Sequence, residues 1–402
     1  MSRAMKRITS DIVISGGGVA GLTAAAAFGT AGFNVIIVDP AVPVTNAAFE
    51  GADLRTTAFL QPAQQFLEEA GLWDKLAPFA TPLQVMRIAD VSGDTQGKAR
   101  VSADFDAADI SDKPFGWNLP NWLLRREMLA RLKELPNVEF LVGTGFVSVL
   151  PRETEALVML TGGLQVRTKL LIGADGRFSP VREAVNIGVK TNRYGQKAIT
   201  CAFTHPSPHE NVSTEIHRSG GPFTFVPLPD HEGEPCSAVV WMESGAEVKR
   251  LMALSDEDFE AEAMTRSAVL YGSLKLATRR TAWPIISQLA DQMSGPRTAL
   301  VAEAAHVMPP IGAQGLNMSL TDLATLLDLA HNHELGSRAM LDAYHKARHT
   351  DVKMRVNGID ALNRASMSGS PAFQDLRVAG IKALFEAKPI RRGLMKLGLG
   401  AG

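Results

Sequence analysis

The chain has 402 residues, of which 46% are hydrophobic and 21% are charged, which is typical of a globular protein long enough for two domains. Its 41 basic residues are balanced by 42 acidic residues, so it has no overall positive field that would favour binding of nucleic acid. Cys201 and Cys236 are the only cysteines, which argues against a disulfide framework or a cysteine-based metal site and favours a reducing, cytoplasmic location.

The N-terminal segment is not expected to be a signal peptide. Met1 to Ser10 is short and mildly basic, and it lacks the apolar core and cleavage site of a signal peptide. No run of about 18 or more apolar residues occurs in the sequence, so we expect no membrane-spanning helix. Any contact with a membrane is therefore expected to be peripheral.

The first predicted elements are two buried strands with a helix between them. Ile12–Ile14 and Val35–Val38 are short runs of mostly β-branched residues, which is typical of strands buried on both faces of a parallel sheet. The alanine-rich run Leu22–Ala31 between them predicts a helix. This order of strand, helix and strand indicates the first unit of an open α/β sheet.

The turn between the first strand and the helix contains three glycines at G-x-G-x-x-G spacing. Gly16 permits the tight turn, Gly18 lets a pyrophosphate approach the backbone, and Gly21 lets the helix pack closely on the strand. Asp39 lies 18 residues beyond Gly21, where its carboxylate can accept hydrogen bonds from a ribose hydroxyl. The motif predicts dinucleotide binding without specifying the dinucleotide, and a purely structural turn is the alternative.

The chain then leaves this unit and returns to it. Leu54–Ala58 leads into a helix, and Arg55 within it has the local context of a solvated loop arginine. Val85–Asp90 is a candidate strand in the first excursion into a second domain. Helical spacing returns over Asn121–Leu135, which carries Arg126 near its start.

A second motif follows the apolar run that ends at Ile172. It reads Gly-Ala-Asp-Gly over residues 173–176, with Arg182 near the start of the next helix. The motif places Asp175 and open backbone amides at the carboxyl end of a strand, which is the usual ligand edge of an α/β sheet. On local grounds a simple Asp-Gly turn is nearly as good an explanation.

Residues 190–283 have a different pattern, in which short apolar runs alternate with turns rich in proline and glycine. Several strands in succession predict an antiparallel sheet packed beside the nucleotide domain. Such a sheet would form the second wall of a substrate pocket.

A third motif begins with the buried strand Ala299–Ala302, which ends at Glu303. A loop with two prolines and two glycines then leads to a helix whose amino end holds Gly315, Leu316 and Asn317. Helix amides that face a ligand, with a carboxylate beside them, suit a polar ribityl chain and the edge of a flavin ring. The alternative for Glu303 is a capped loop without a ligand.

The three motifs occur in the order and spacing of the single-component FAD-dependent aromatic monooxygenases, the flavoproteins that resemble para-hydroxybenzoate hydroxylase. Within this group, the chain most resembles the hydroxylases of ubiquinone biosynthesis. The segments that carry the resemblance are Gly16–Gly21, Gly173–Gly176 with Arg182, Glu303–Asn317, Arg55–Ala58, Trp283–Ile285 and Pro389–Met395. The resemblance extends over nearly the whole chain.

This resemblance implies an α/β fold with a Rossmann-type, glutathione-reductase-like FAD-binding domain. A mainly antiparallel β-sheet substrate domain would be inserted into it, and helices would follow at the C-terminus. We expect the FAD-binding domain to comprise residues 1–77, 121–189 and 284–345, the substrate domain residues 78–120 and 190–283, and the C-terminal helical region residues 346–402.

The resemblance also implies which residues bind FAD. Asp39 would bind the ribose, Arg126 and Asp175 would contact the cofactor, and Glu303 would meet the ribityl chain. The predicted cofactor-binding set is Gly16, Gly18, Gly21, Asp39, Arg55, Arg126, Asp175, Glu303, Gly315, Leu316 and Asn317. Residues 312–317 would line the isoalloxazine, and the reaction pocket would lie near Pro310, Gly312, Gln314 and Gly315.

One departure from the family pattern is visible. Many relatives have Gly-Asp where this chain has Ala302-Glu303. The longer acid keeps the hydrogen-bonding function but needs about one more methylene of room, and the alanine adds a methyl group where the backbone closely approaches the cofactor.

The resemblance implies a monooxygenase that uses NAD(P)H and O2 to hydroxylate the aromatic ring of a polyprenyl phenol in ubiquinone biosynthesis. The flavin would carry the difficult chemistry, so we expect no catalytic side chain and no metal. Consistent with this, the sequence contains no G-x-S-x-G elbow, H-E-x-x-H helix or P-loop. The alternatives are a hydroxylase of small soluble aromatics and a non-catalytic flavoprotein scaffold of a biosynthetic complex.

The C-terminal tail, residues 381–402, is basic and amphipathic. Its cations are Lys382, Lys388, Arg391, Arg392 and Lys396, against a single acid, Glu386. Such a segment can lie on an anionic membrane surface, here the inner face of the membrane, which would suit a polyprenylated substrate. Packing on the body of the protein or on a partner subunit is an equally weighted alternative. Other proteins of ubiquinone biosynthesis are further candidate partners of the tail.

Overall fold

The structure is a computed structural model that describes residues 7–93, 99–218, 220–368 and 370–399. The strands in these ranges are β1 (Arg7–Thr9), β2 (Ile12–Ser15), β3 (Val35–Asp39), β4 (Thr56–Leu60), β5 (Thr81–Leu83), β6 (Val85–Asp90), β7 (Val101–Asp106), β8 (Gly116–Pro120), β9 (Val138–Val142), β10 (Phe146–Pro151), β11 (Ala156–Leu160), β12 (Leu164–Thr168), β13 (Leu170–Gly173), β14 (Val189–Thr204), β15 (Val212–His217), β16 (Pro222–His231), β17 (Glu234–Ser244), β18 (Lys275–Leu276), β19 (Thr281–Ala290), β20 (Ser294–Gly295), β21 (Thr298–Leu300) and β22 (His306–Val307).

The α-helices are α1 (Val19–Thr30), α2 (Gln61–Glu69), α3 (Trp73–Leu76), α4 (Asn121–Leu132), α5 (Pro180–Ala184), α6 (Gly245–Met252), α7 (Asp256–Arg266), α8 (Gln314–Asn332), α9 (Arg338–Met367), α10 (Pro371–Glu386) and α11 (Lys388–Leu399). Residues 400–402 of the expected C-terminal region and residues 1–6 of the N-terminal segment lie outside the described residues.

A six-stranded sheet with the order β20-β21-β13-β2-β3-β9 forms the centre of the fold. The pairs β13–β2, β2–β3 and β3–β9 are parallel, as the apolar runs predicted. Every residue of β2 is buried, because this sheet packs against α1 and against the four-stranded sheet of β1, β12, β11 and β10, which leaves no face for polar side chains. The expected α/β fold is therefore confirmed.

The predicted second sheet is the largest in the molecule. Its strands run in the order β22-β19-β14-β17-β16-β15-β6-β7, with β18 beside β14, and the pairs are antiparallel except β15–β6. One face buries Phe203, Phe225 and Trp241 against α6 and α7. Val240 and Trp283 lie on the other face, which faces the six-stranded sheet.

Three segments differ from the expected boundaries. The predicted helix after Arg55 is preceded by strand β4, because Thr56–Leu60 pairs with β8 in a small third sheet. The apolar character of residues 140–149 predicts that they join a sheet, but they belong to two strands, of which β9 joins the central sheet and β10 a four-stranded sheet. Residues 164–172 predict the same and divide in the same way into β12 and β13. Continuous apolar character does not reveal where a chain crosses from one sheet to another.

The C-terminal helices pack on the body of the protein. Arg377 of α10 donates from Nε to Asp90, which is fully buried at the end of β6, over 2.6 Å. Arg391 of α11 pairs with Asp109 at 2.8 Å, and Met395 packs against Leu60. Among the described residues, no helix has the length and apolar character needed to cross a bilayer.

Candidate active site

The glycine motif after β2 lies beside the second motif, which follows β13. Because β13 and β2 are adjacent parallel strands, the turn after β2 touches the turn after β13. Gly16 has φ +114°, and a Cβ there would lie 2.3 Å from the carbonyl oxygen of Ala174. A Cβ on Gly21 would lie 1.9 Å from the carbonyl oxygen of Gly16, so both positions need glycine for the fold itself.

Gly18 differs from its two partners, because a Cβ at this position would meet no heavy atom of the described residues within 4 Å. It is the N-cap of α1, with extended backbone and no side-chain cap on the helix. Open amides and free space at a helix start are the features that admit a phosphate group. The protein fold does not require glycine at position 18. We therefore attribute the glycine in the motif at this position to the space that a ligand needs.

The Asp39 carboxylate lies beside the same turn. Its Oδ2 accepts a hydrogen bond from the Gly17 amide over 2.6 Å, and its Oδ1 accepts one from Ala41 over 2.8 Å. The carboxylate therefore orders the glycine turn in the protein itself. Its contact with the ribose stays a prediction.

Asp175 presents an unsatisfied atom at the carboxyl end of β13. Its Oδ2 accepts from the Val181 amide at 3.1 Å and from the Ser15 hydroxyl at 3.4 Å, whereas Oδ1 is buried and has no partner in the described structure. Burial raises the pKa of the Asp175 carboxyl, although the hydrogen bonds to the carboxylate oppose this. A hydroxyl donor from a ligand would satisfy Oδ1, so the site fits the polyhydroxylated chain of FAD.

The third motif forms the opposite wall of this region. Ala313, the N-cap of α8, is left-handed at φ +55° and the helix has no side-chain cap, so its first amides are open. Leu316 packs against the core, and Gly315 has free space around its Cα. The Asn317 side chain is used within the protein, since Nδ2 donates to the carbonyls of Ala58 and Ala313 and Oδ1 accepts from Leu60. Asn317 thus ties β4 to the loop before α8.

A cavity of about 140 Å³ lies between the third motif and the large sheet. Its walls are formed by Leu54, Arg55, Thr56, Arg177, Thr200, Cys201, Ala238, Val239, Val240, Trp283, Pro284, Ile285, Ile286, Glu303, Val307, Met308 and Pro310. It brings together Arg55, Glu303 and Pro310 from the predicted site, whereas Gly312, Gln314 and Gly315 are not among its wall residues. The expected second wall is thus provided by β14, β17 and β19.

Arg55 belongs to the cavity wall and has defined partners there, with 40% of its side chain exposed. Its Nε and Nη2 donate to the two oxygens of Asp53 at 2.8 and 2.7 Å, and its guanidinium lies 4.6 Å from the centre of the Trp283 ring. Burial alone would lower the pKa of Arg55, but the hydrogen bonds and charge of Asp53 outweigh it and raise the pKa. Arg55 therefore places a permanent positive charge between the start of β4 and the large sheet.

The contacts of Arg126 are with residues outside the predicted site. Its Nε donates to Glu127 at 2.6 Å, and its guanidinium lies near the rings of Phe79 and Trp122. The neighbouring Arg125 is the one that approaches Asp53, at 3.8 Å. The contact between Arg126 and the cofactor stays a prediction.

Sequence reasoning missed Arg177, which pairs with Glu303 across the cavity wall. The Nε–Oε2 distance is 3.1 Å and the Nη2–Oε1 distance is 3.3 Å. The available signal was its place directly after the Gly-Ala-Asp-Gly motif. Ala302, directly before Glu303, is left-handed at φ +54°, a conformation that costs an L-residue about 1–2 kcal/mol.

We expect FAD binding to depend on the protonation of Asp175. The ionised carboxylate accepts a hydroxyl hydrogen bond at Oδ1, so FAD affinity should be highest above the raised pKa of Asp175 and should fall as pH decreases through it. Asp175→Asn should weaken binding by about tenfold and flatten this part of the pH profile. Flavin-fluorescence titration of the apoprotein between pH 4 and 8 measures both effects. An unchanged profile in Asp175→Asn would show that another group is responsible.

Comparison with known proteins places this geometry in a family. Residues 9–357 match the family model described as an FAD binding domain. The chain is 32% identical to ubiquinone hydroxylase UbiL of Rhodospirillum rubrum over 97% of this chain and 90% of that protein. It is 26% identical to the 3-demethoxyubiquinol 3-hydroxylase of Escherichia coli over 97% and 98% of the two chains.

Solved structures agree on the fold. The p-nitrophenol 4-monooxygenase PnpA of Pseudomonas putida superposes with a TM-score of 0.80 at 19% identity, over 99% of both chains. PqsL of Pseudomonas aeruginosa, in complex with 2-aminobenzoylacetate, superposes with a TM-score of 0.77 at 22% identity, over 94% of this chain and all of that one. The family model and the sequence relatives show that this is an FAD-dependent aromatic-ring monooxygenase with NAD(P)H as its reductant. The chain belongs to the FAD-dependent hydroxylases of ubiquinone biosynthesis.

Proposed function

We propose that this protein hydroxylates the aromatic ring of a polyprenyl phenol, with NAD(P)H and O2, in ubiquinone biosynthesis. The observation that carries the proposal is the cavity, which joins an apolar sheet wall to a polar corner formed by Arg55, Arg177 and Glu303. An apolar wall excludes water and accepts a ring with a hydrocarbon chain, while the polar corner suits the flavin and the ring oxygen.

The protein residues would bind the cofactor and position the substrate. When bound, FAD supplies the redox chemistry that takes reducing equivalents from NAD(P)H and activates O2. We assign the phosphates to the space at Gly18, the ribose to Asp39, and the ribityl chain to Asp175 and Glu303. The positive charge of Arg55 would favour the ionised form of a phenol, which is the more electron-rich ring.

The test uses purified protein reconstituted with FAD. We expect NAD(P)H oxidation to increase when a short-chain polyprenyl phenol is added, with one ¹⁸O atom from ¹⁸O2 in the product. Hydroxylation of small soluble phenols in preference to the prenylated ring would instead support a hydroxylase of small aromatics. Tight FAD binding without reduction by NADH or NADPH, with or without phenol, would support the non-catalytic scaffold.

We further propose that α10 and α11 rest on the inner face of an anionic membrane, which would bring the protein to a lipid-soluble substrate. These helices pack on the body, and they also carry exposed apolar and basic side chains. We name this set the tail surface: Phe373, Leu376, Ile390, Leu394, Lys382, Lys388, Arg392 and Lys396. Of the tail cations, Arg391 is excluded because it pairs with Asp109.

Vesicle binding tests the tail surface. Each cation contributes about 1 kcal/mol at an anionic surface, so changing Lys382, Lys388, Arg392 and Lys396 to glutamine should weaken binding to phosphatidylglycerol-containing vesicles by about 100-fold or more. The matched control changes the exposed lysines Lys133, Lys190, Lys197 and Lys249 to glutamine. Equal loss in both variants, or no binding of the unaltered protein, would contradict the proposal.

The division into domains also stays a prediction. We propose that residues 1–77, 121–189 and 284–345 hold the cofactor, that residues 78–120 and 190–283 form the substrate domain, and that a helical region follows from residue 346. The sheet memberships of β6, β7 and β14 to β18 support this division, whereas β19 belongs to the same large sheet and crosses the proposed boundary at residue 284.

A further inference from the structure

The ion pair between Arg177 and Glu303 joins two motifs that lie 126 residues apart in the chain. Both side chains face the cavity, with 23% of the Arg177 side chain and 44% of the Glu303 side chain exposed. A pair with this exposure contributes little to stability, because solvent screens its charges. Its two parallel hydrogen bonds do, however, fix the orientation of a carboxylate.

The backbones that carry the pair are held at a set distance by Arg182. This side chain is buried, with 3% of the residue exposed. Its Nη1 donates to the carbonyl of Ala304 at 2.8 Å, and its Nη2 donates to the carbonyl of Arg177 at 3.0 Å. Gln288 of β19 donates a second hydrogen bond to the same Arg177 carbonyl, at 3.1 Å. The buried guanidinium of Arg182 thus holds the backbone of Ala304, the residue after Glu303, at a fixed distance from the backbone of Arg177. We call this arrangement the clamp.

The length of the acid at position 303 matters for this arrangement. The hydrogen bonds to Arg177 already measure 3.1 and 3.3 Å, near the upper limit for such bonds. An aspartate would withdraw the carboxylate by about 1.5 Å, one C–C bond, and would end the contact because the clamp prevents the backbones from closing the gap. Glutamate at 303 and arginine at 177 are therefore matched to each other.

We propose that Arg177 is a positioning residue that orients the Glu303 carboxylate for the ribityl chain of FAD. The inference rests on the proposed role of Glu303 as an FAD ligand. It leads to an unexpected consequence: Glu303→Asp, which restores the acid found in many relatives, weakens FAD binding in this chain. The extra methylene of Glu303 is compensated by Arg177 and by the clamp.

A double-mutant cycle on FAD affinity tests the proposal. We expect Arg177→Met to raise the FAD dissociation constant about tenfold in the unaltered protein but less than about twofold in a Glu303→Asp or Glu303→Gln background. Arg177→Lys keeps the charge without the planar fork and should recover only part of the affinity. Affinity is measured by titrating apoprotein with FAD, and the visible circular dichroism of bound flavin reports its orientation.

Arg87→Met is the matched control. Arg87 forms a two-bonded pair with Asp104 at similar exposure on the large sheet, away from the cavity walls, so its loss should leave FAD affinity and the flavin spectrum unchanged. Weakened binding in Glu303→Gln together with normal binding in Arg177→Met would overturn the positioning role. Normal binding in Glu303→Gln would instead contradict the proposed role of Glu303 itself. Far-ultraviolet circular dichroism of each apoprotein verifies folding.

Discussion

Gly18→Ala is expected to weaken FAD binding by about 10- to 100-fold and to leave the apoprotein as stable as before. The added methyl group meets nothing in the protein, and Gly18 has φ −73°, which alanine adopts freely. The methyl group would instead occupy space that we assign to the pyrophosphate, and overpacking of this kind costs about 1–3 kcal/mol.

Gly21→Ala is the matched comparison, because it adds the same methyl group one helical turn away. There the Cβ would lie 1.9 Å from the Gly16 carbonyl oxygen, so we expect the free energy of unfolding of the apoprotein to fall by about 3 kcal/mol or more. Urea unfolding of the two apoproteins and FAD titration distinguish the effects. Normal FAD affinity in Gly18→Ala would show that the phosphates do not approach this turn.

Arg348→Met is expected to reduce the free energy of unfolding by about 3–5 kcal/mol, because it leaves a buried carboxylate without its cation. Asp322 of α8 is fully buried, and it accepts from Arg348 Nε over 2.7 Å and from His306 over 2.6 Å. The double variant Arg348→Met with Asp322→Asn should recover part of the loss, because it removes the unpaired charge.

Arg338→Met is the control for this prediction, because Arg338 lies on α9 together with Arg348. The Arg338–Asp342 pair is exposed, with 94% and 71% of the side chains accessible, so its loss should cost about 1 kcal/mol at most. Urea or thermal unfolding of the apoproteins compares the two. Similar losses at positions 348 and 338 would mean that the buried network does not stabilise the base of the third motif.

The parts of the site that follow from local rules could be predicted from the sequence. A glycine turn between a β-branched run and an alanine-rich helix predicts a strand, a tight turn and a helix, and the structure has the expected strands β2 and β3 around it. The carboxyl-end position of Asp175 followed in the same way, because strand ends are local signals.

Other features depend on residues far apart in the chain, and no local rule contains them. The ring of Trp283 contacts the guanidinium of Arg55, which the sequence alone places in a loop. Arg182 holds Arg177 opposite Glu303. Nor does the sequence show that the amide of Asn317 is used by Ala58 and Leu60 of β4. Each contact depends on how whole sheets are placed, so its detection requires the fold.

The neighbourhood of β2 and β13 has a consequence for synthesis of the protein on the ribosome. The turn at Gly16 is completed by Ala174, and β21 and the helix after Ala313 are translated later still. In a nascent chain the edge of β2 therefore stays open until β13 has emerged, and the edge of β13 stays open until β21, which ends at residue 300, has emerged. Late, non-local pairing folds slowly and exposes apolar strands, so expression at low temperature and with abundant FAD should favour soluble holoenzyme.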